Sequence, residues 1–166
     1  MKRFPLATWT LIAGVIASML QIAMMGPLLP ERIASHFGAS GEANGYMDRS
    51  SFLTLHGFLA VFLTLMISGV SFLLPSLPNE SINLPNKAYF LAPERRRETL
   101  DYLISRMMVF NSATLLLITA IFQVVYEANI QGKNSIGWTP LLLVGAFLIY
   151  TTIWSIGLIR RFTIPQ

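Results

Sequence analysis

Two histidines, His36 and His56, stand near two acids, Glu42 and Asp48, within one short stretch of the chain. Imidazole and carboxylate together can ligate zinc or another divalent cation, and the same pair can move protons in acid–base catalysis. Neither chemistry is well supplied here. Metal sites on helices repeat their ligands at short fixed spacing, such as two histidines one turn apart, and no such spacing occurs. The favoured reading has His36 hydrogen-bonded to loop carbonyls and His56 at a polar border of the second helix. Cysteine is absent, which removes disulfides, thiolate metal sites and CxxC redox chemistry. No metal and no cofactor are therefore expected.

The elements that position these residues follow from where the charges lie. The 166 residues are 54% hydrophobic and only 12% charged, about half the charge of an ordinary soluble domain. A chain this size cannot hide so much apolar surface in one water-surrounded core, so a soluble enzyme is excluded. The charges leave four long gaps: Phe4 to Pro30, Ser50 to Asn79, Met107 to Tyr126 and Asn134 to Ile159. About 20 helical residues cross a hydrocarbon layer about 30 Å thick, and backbone groups in lipid must bond within their own segment. The expected fold is thus all-α, an integral membrane four-helix bundle and a single domain over 1–166. Its spans are placed at 6–26, 52–74, 107–126 and 138–159, with an outer loop 27–51 and a cytoplasmic loop 75–106. The apolar run after Lys2 and Arg3 is too long for a cleaved signal, so the first span is read as retained.

Nine of the twelve lysines and arginines fall at the two termini and in the second loop. Cations concentrate on the cytoplasmic side of membrane proteins, so both termini are expected in the cytoplasm, in a plasma membrane. The net charge of +4 is accounted for in this way and requires no nucleic acid. Trp9, Trp138 and Tyr126 fall at span ends, where aromatic belts form. Apart from His56, the spans hold no ionisable side chain of the kind that proton relays and ion-coupled transporters require; no enzymatic activity is expected. Gln21, Ser68, Asn111, Gln123, Thr151 and Ser155 are read as polar contacts between helices, and Ala13/Ala17, Gly14/Ser18 and Ala60/Thr64/Ser68 as close-packing faces.

In the first loop, Pro30 suits a short helical turn, Asn44-Gly45 reads as a turn, and Asp48, Ser50 and Ser51 are placed to cap the second span. In the second, the prolines from Pro75 to Pro85 predict a non-helical connector. Pro93 then opens a short amphipathic helix ahead of the third span. Its Leu100, Leu103, Ile104 and Met107 share one face, and Arg97 can pair with Asp101. Arg95, Arg96 and Arg97 are candidates for lipid headgroups or for a cytoplasmic partner.

The series Pro30, Arg32, Ile33, His36, Phe37, Gly41, Glu42 and Gly45 resembles the motif of a bacterial membrane family known as domain of unknown function 1648. The stretch from Pro85 to Leu100, with Tyr89, Pro93, Glu94, Arg95 and Arg96, resembles a second block of that family. Its relatives include immunity proteins of the sporulation-delaying toxin system, so the resemblance implies an immunity or signalling role, with a peptide toxin or another membrane protein as partner beside the bilayer. The function expected is non-catalytic binding or sensing at the outer loop. There Gly41 and Gly45 shape the backbone, and His36, Glu42, Phe37 and Arg32 supply contacts. The competing expectation is a structural subunit packed into a larger membrane complex. The charge asymmetry makes its own prediction: a reporter fused after Gln166 is active only when it is one that works in the cytoplasm, and activity of an exported reporter there inverts the topology.

Overall fold

The computed structural model describes residues 5–163; Lys2 and Arg3, used in the charge asymmetry, lie outside them. Four helices are long and apolar enough to cross a membrane: α1 (Pro5–Met25), α2 (Arg49–Leu73), α4 (Pro93–Ile130) and α5 (Thr139–Thr163). Between the first two lies an antiparallel hairpin of β1 (Arg32–Phe37) and β2 (Ala43–Asp48). Between α2 and α4 runs a connector of two 3₁₀ turns and the one-turn helix α3 (Lys87–Phe90).

The four expected long apolar helices are present, and two expectations are corrected. The fold is not all-α, because the segment read as a loop opened by a helical turn is a two-stranded sheet. Asn44 and Gly45 lie inside β2, and the turn falls at Gly38–Gly41, closed by the Gly41 amide on the Gly38 carbonyl at 2.9 Å. The strands escaped notice because their alternation is broken. Ile33 and Ala34 are both buried, and the pairing slips between Ala34 and His36 and again between His36 and Phe37. Bulges of this kind erase the period of two that marks a strand.

The second correction concerns α4. The expected short amphipathic helix and the third span are one unbroken helix of 38 residues. Pro93 starts it at a position where a missing amide hydrogen costs nothing. No glycine or proline follows before Gly132, so nothing stops it.

Helix α4 is the axis of the molecule, with α1 and α2 packed along it. Three apolar clusters mark the levels: Leu29, Ile33, Phe52, Phe122, Val125 and Tyr126 at the hairpin end, Leu11, Ala60, Ile104, Met108 and Leu115 in the middle, and Phe90, Leu91, Leu100 and Phe162 among those at the arginine end. Tyr126, expected in an interfacial belt, is instead fully buried, whereas Trp9 and Trp138 are exposed. The polar contacts are selective. Asn111 donates to the Ser68 hydroxyl at 3.1 Å and the Thr64 carbonyl at 3.2 Å, joining α4 to α2. Gln21 donates to Gln123 at 2.6 Å, and Ser18 shares a 2.8 Å bond with Thr119, joining α1 to α4. Thr151 and Ser155 make no such contact; the Thr151 hydroxyl is buried without a partner. Helix α5 joins α4 through aromatic packing instead, with Phe110 centred 5.0 Å from Trp154 and 5.8 Å from Phe147. Only Phe162 of α5 is buried.

Where α4 ends, Asn129 reaches back to the hairpin. Its amide oxygen accepts from the Ala34 N–H at 2.8 Å, and its amide nitrogen donates to the Ala34 carbonyl at 3.0 Å and to the Val125 carbonyl at 2.9 Å. Removing that side chain leaves two buried backbone groups unmet, at about 1–3 kcal/mol. Interhelical side-chain bonds in membranes average about 0.6 kcal/mol. Asn129→Ala is therefore expected to lower stability by about 2 kcal/mol and Asn111→Ala by about 1 kcal/mol, measured as unfolding in mixed detergent micelles. The reverse order removes the hairpin clamp from its central place.

Candidate functional site

The hairpin end is built from a fixed backbone that carries free side chains. Arg49 closes its base, pairing with Glu31 at 2.6 Å, donating to the Leu29 carbonyl at 3.1 Å, and giving its amide to the Glu31 carbonyl at 3.0 Å. The Glu31 carboxylate is 86% exposed, so the ion pair itself adds little and the backbone bonds carry the closure. The connection between α4 and α5 then lies alongside the hairpin tip: Ala43 donates to the Asn134 carbonyl and Ile136 to the Gly41 carbonyl, both at 2.9 Å. These bonds form a short third edge, with Glu42 bridged to Ser135.

Two glycines are dictated by this arrangement. Gly41 has φ +83°, and a Cβ there lies 2.5 Å from the Gly137 carbonyl oxygen. Both the left-handed backbone and the close approach of the second loop demand glycine. Gly45 faces His36 across the sheet, where a Cβ falls 2.9 Å from the His36 Cβ. The expectation that these two shape the segment thus acquires a steric reason.

The candidate contact residues divide. Arg32, His36 and Glu42 are exposed. The Arg32 guanidinium lies 4.7 Å from the centre of the Tyr46 ring, and the His36 Nδ1 is 3.2 Å from the Ser35 hydroxyl. Phe37 turns inward and packs against the hairpin-end cluster. His56 does not join His36. It is fully buried in α2, stacked on Phe122 with ring centres 3.9 Å apart, and its Nδ1 is 3.3 Å from the Tyr126 hydroxyl. Its Nε2 is buried without a partner. Asp48 is turned to the start of α2. Among the described residues, no three of the His, Asp and Glu side chains converge as a metal site requires.

Asp48 caps α2 as expected, accepting from the Ser51 amide at 2.8 Å and from the Ser50 and Ser51 hydroxyls at 2.6 and 2.7 Å. The Ser50 hydroxyl, followed by the Ser51 amide and hydroxyl, holds the Asp48 carboxyl well below the usual carboxylate range.

At the opposite end the three arginines have separate duties. Arg96 is a brace for the connector, donating to Asn79 at 2.9 Å and to the Pro75 and Leu77 carbonyls at 3.1 and 2.8 Å. Arg95 stacks 4.0 Å from the centre of the Tyr89 ring. Arg97 is exposed and forms no ion pair with Asp101. Sequence reasoning missed Asn129, Tyr126 and Phe122, which hold the hairpin and His56 in place. Only their position at the end of an apolar run marks them, and that signal is shared with many residues that do nothing comparable.

Residues 13–61, from the second half of α1 through the hairpin into α2, match the model of a family described as a domain of unknown function (DUF1648). No curated protein and no solved structure matches the chain. The match thus covers the hairpin and the helices that hold it, and its description carries no activity.

The Asp48 cap gives a pH dependence with a definite sign. A carboxyl whose folded pKa is depressed contributes stability above its unfolded value, near 4, and loses it as pH falls toward the folded value. Thermal midpoints of the detergent-solubilised protein are expected to drop between about pH 5 and about pH 2, and to drop less in Asp48→Asn. Equal slopes in the two proteins remove Asp48 as the source.

Proposed function

We propose that this chain is a non-catalytic multi-pass membrane protein whose hairpin end binds a peptide or small polar ligand. The hairpin faces the outside of the plasma membrane and both termini face the cytoplasm, an orientation that the cation distribution favours. The observation that carries this reading is the division of labour in the hairpin. Its backbone is pinned on three sides by Asn129, Arg49 and the 134–136 edge, while the side chains of Arg32, His36 and Glu42 stay exposed and form no ion pair among the described residues. Preorganised backbone with uncommitted polar side chains is what recognition needs, since little ordering entropy remains to be lost on binding. A guanidinium, an imidazole and a carboxylate together suit a zwitterionic or peptide-like partner. An immunity or signalling role, in which the hairpin engages a peptide toxin or a neighbouring membrane protein, fits this chemistry.

A second reading makes the chain an assembly subunit. The exposed apolar surface of α5, including Leu142, Leu148, Ile149 and Ile153, favours it. Photocrosslinking in native membranes separates the two. With a photoreactive residue in place of Ser35, beside His36, the recognition reading expects one discrete adduct of peptide or protein. Glu42→Ala or Arg32→Ala weakens that adduct about tenfold, the equivalent of one charge-assisted hydrogen bond. With the same group at Ile153, only lipid adducts form. A protein adduct at Ile153, and none at Ser35, overturns the recognition reading in favour of assembly.

A further inference from the structure

The charge-free run of α4 begins at Met107 and ends at Tyr126, about 30 Å of helix. Arg106 therefore stands at one border of the hydrocarbon layer. Its side chain does not run out toward water along α4 but lies over α5. One terminal nitrogen is 3.8 Å from the point where a Cβ on Gly157 would stand, and the guanidinium carbon is 5.7 Å from the centre of the Trp154 ring. The Trp154 indole N–H donates to the Arg106 carbonyl at 3.3 Å, which fixes the two helices against each other at this level. A larger residue at 157 would sit against the guanidinium.

No acid answers the Arg106 charge among the described residues. Its Nε is buried with no hydrogen-bond partner, and it forms no ion pair among the described residues. Glu98 is 3.9 Å from Arg161, whose guanidinium also lies over Phe90 and Tyr102. Tyr150, packed against Phe110 in the same α4–α5 seam, also has a buried hydroxyl without a partner. Arg160, three residues beyond Gly157 on an adjoining strip of α5, is exposed and unpaired. One border of the apolar layer thus holds two arginines that form no ion pair among the described residues, and a cluster of unmet donors.

An unanswered guanidinium at that depth is costly, and its planar fork matches the paired oxygens of a phosphate. Farther round α5, Ile149, Ile153, Ile156 and Ile159 expose an apolar strip, suited to acyl chains. We propose that Arg106 and Arg160 form a phosphate site in the α4–α5 cleft, occupied by the phosphodiester of an anionic phospholipid whose chains lie along α5. The site is at the end opposite the hairpin and stands or falls independently of the recognition reading.

The full-length protein, stripped of lipid in a nonionic detergent, is titrated with phosphatidylglycerol, phosphatidylcholine and inorganic phosphate. Bound lipid is counted by native mass spectrometry, and thermal midpoints are followed in parallel. One phosphatidylglycerol is expected to be retained, in preference to phosphatidylcholine. Arg106→Gln is expected to weaken it about five- to tenfold, near the value of one arginine at a lipid surface or somewhat more, and Arg160→Gln by less. Arg106→Lys keeps the charge without the fork and is expected to fall between wild type and Arg106→Gln; should Arg106→Gln lose its helical circular dichroism, this variant carries the comparison. Lys87→Gln, which removes an exposed cation at the same end, is expected to change nothing. Equal losses in Lys87→Gln and Arg106→Gln reduce the effect to a diffuse positive field and overturn the site. So does the absence of any preference for phosphatidylglycerol. Inorganic phosphate that stabilises the protein as strongly, with the same dependence on Arg106, overturns the lipid as its source.

Discussion

A bulged strand buried against a helix leaves backbone groups pointing away from its partner strand, and at the edge of a membrane water cannot be relied on to meet them. Ala34 is such a residue, 4% exposed, with both its N–H and its carbonyl turned toward α4. The Asn129 carboxamide presents a donor and an acceptor in the spacing of a peptide group and so acts as a one-residue strand. Much of the hairpin end depends on that pairing. It sets the height of β1, which places Ile33 in the apolar cluster with Phe122 and Tyr126. It brings the hairpin tip to the α4–α5 connection, where Gly41 and Gly137 touch.

The bilayer explains the rest of the packing. Between helices in lipid no hydrophobic force drives association, so contacts rely on close fit and a few polar bonds. The seams of α4 with α1 and α2 have both. Ser18 and Ala60 are fully buried at these seams, and Gln21, Asn111 and Thr119 bond across them. The seam with α5 has the one bond from the Trp154 indole to the Arg106 carbonyl among the described residues, and holds mainly by aromatic rings. Helix α5 consequently keeps most of its surface for lipid, while α1 and α2 give up part of theirs.

The four spans were legible because charge is expensive in lipid: each long gap between charged residues became a helix, and the gap bounded by Arg106 and Glu127 located the charge-free stretch of α4. The Asp48 cap was legible because a short acid followed by serines has few other uses. The hairpin was not, since bulges destroyed its alternation and Asn44-Gly45, a favoured turn pair, was drawn into a strand by cross-strand pairing with His36. The continuity of α4 was missed because a change from polar to apolar composition reads as a boundary, although the helical backbone responds only to residues that break it. Of the candidate site, the motif residues were visible as a series. What separates Arg32, His36 and Glu42 from Phe37 is the direction of each side chain in a bulged strand, which no spacing rule conveys.

Helix α4 also has a mechanical meaning. Its 38 residues make a rod about 57 Å long, held at one end by the Asn129 clamp and at the other by Arg96 and Thr99, which bond the connector and the Phe90 carbonyl. No hinge residue interrupts it. A rod of that length works as a lever: tilting it by about 5° carries one end through about 5 Å relative to the other. The two polar ends of this protein are therefore not separate bodies joined by a tether. They are the two ends of a single stiff beam, and neither can be displaced without the other registering the movement.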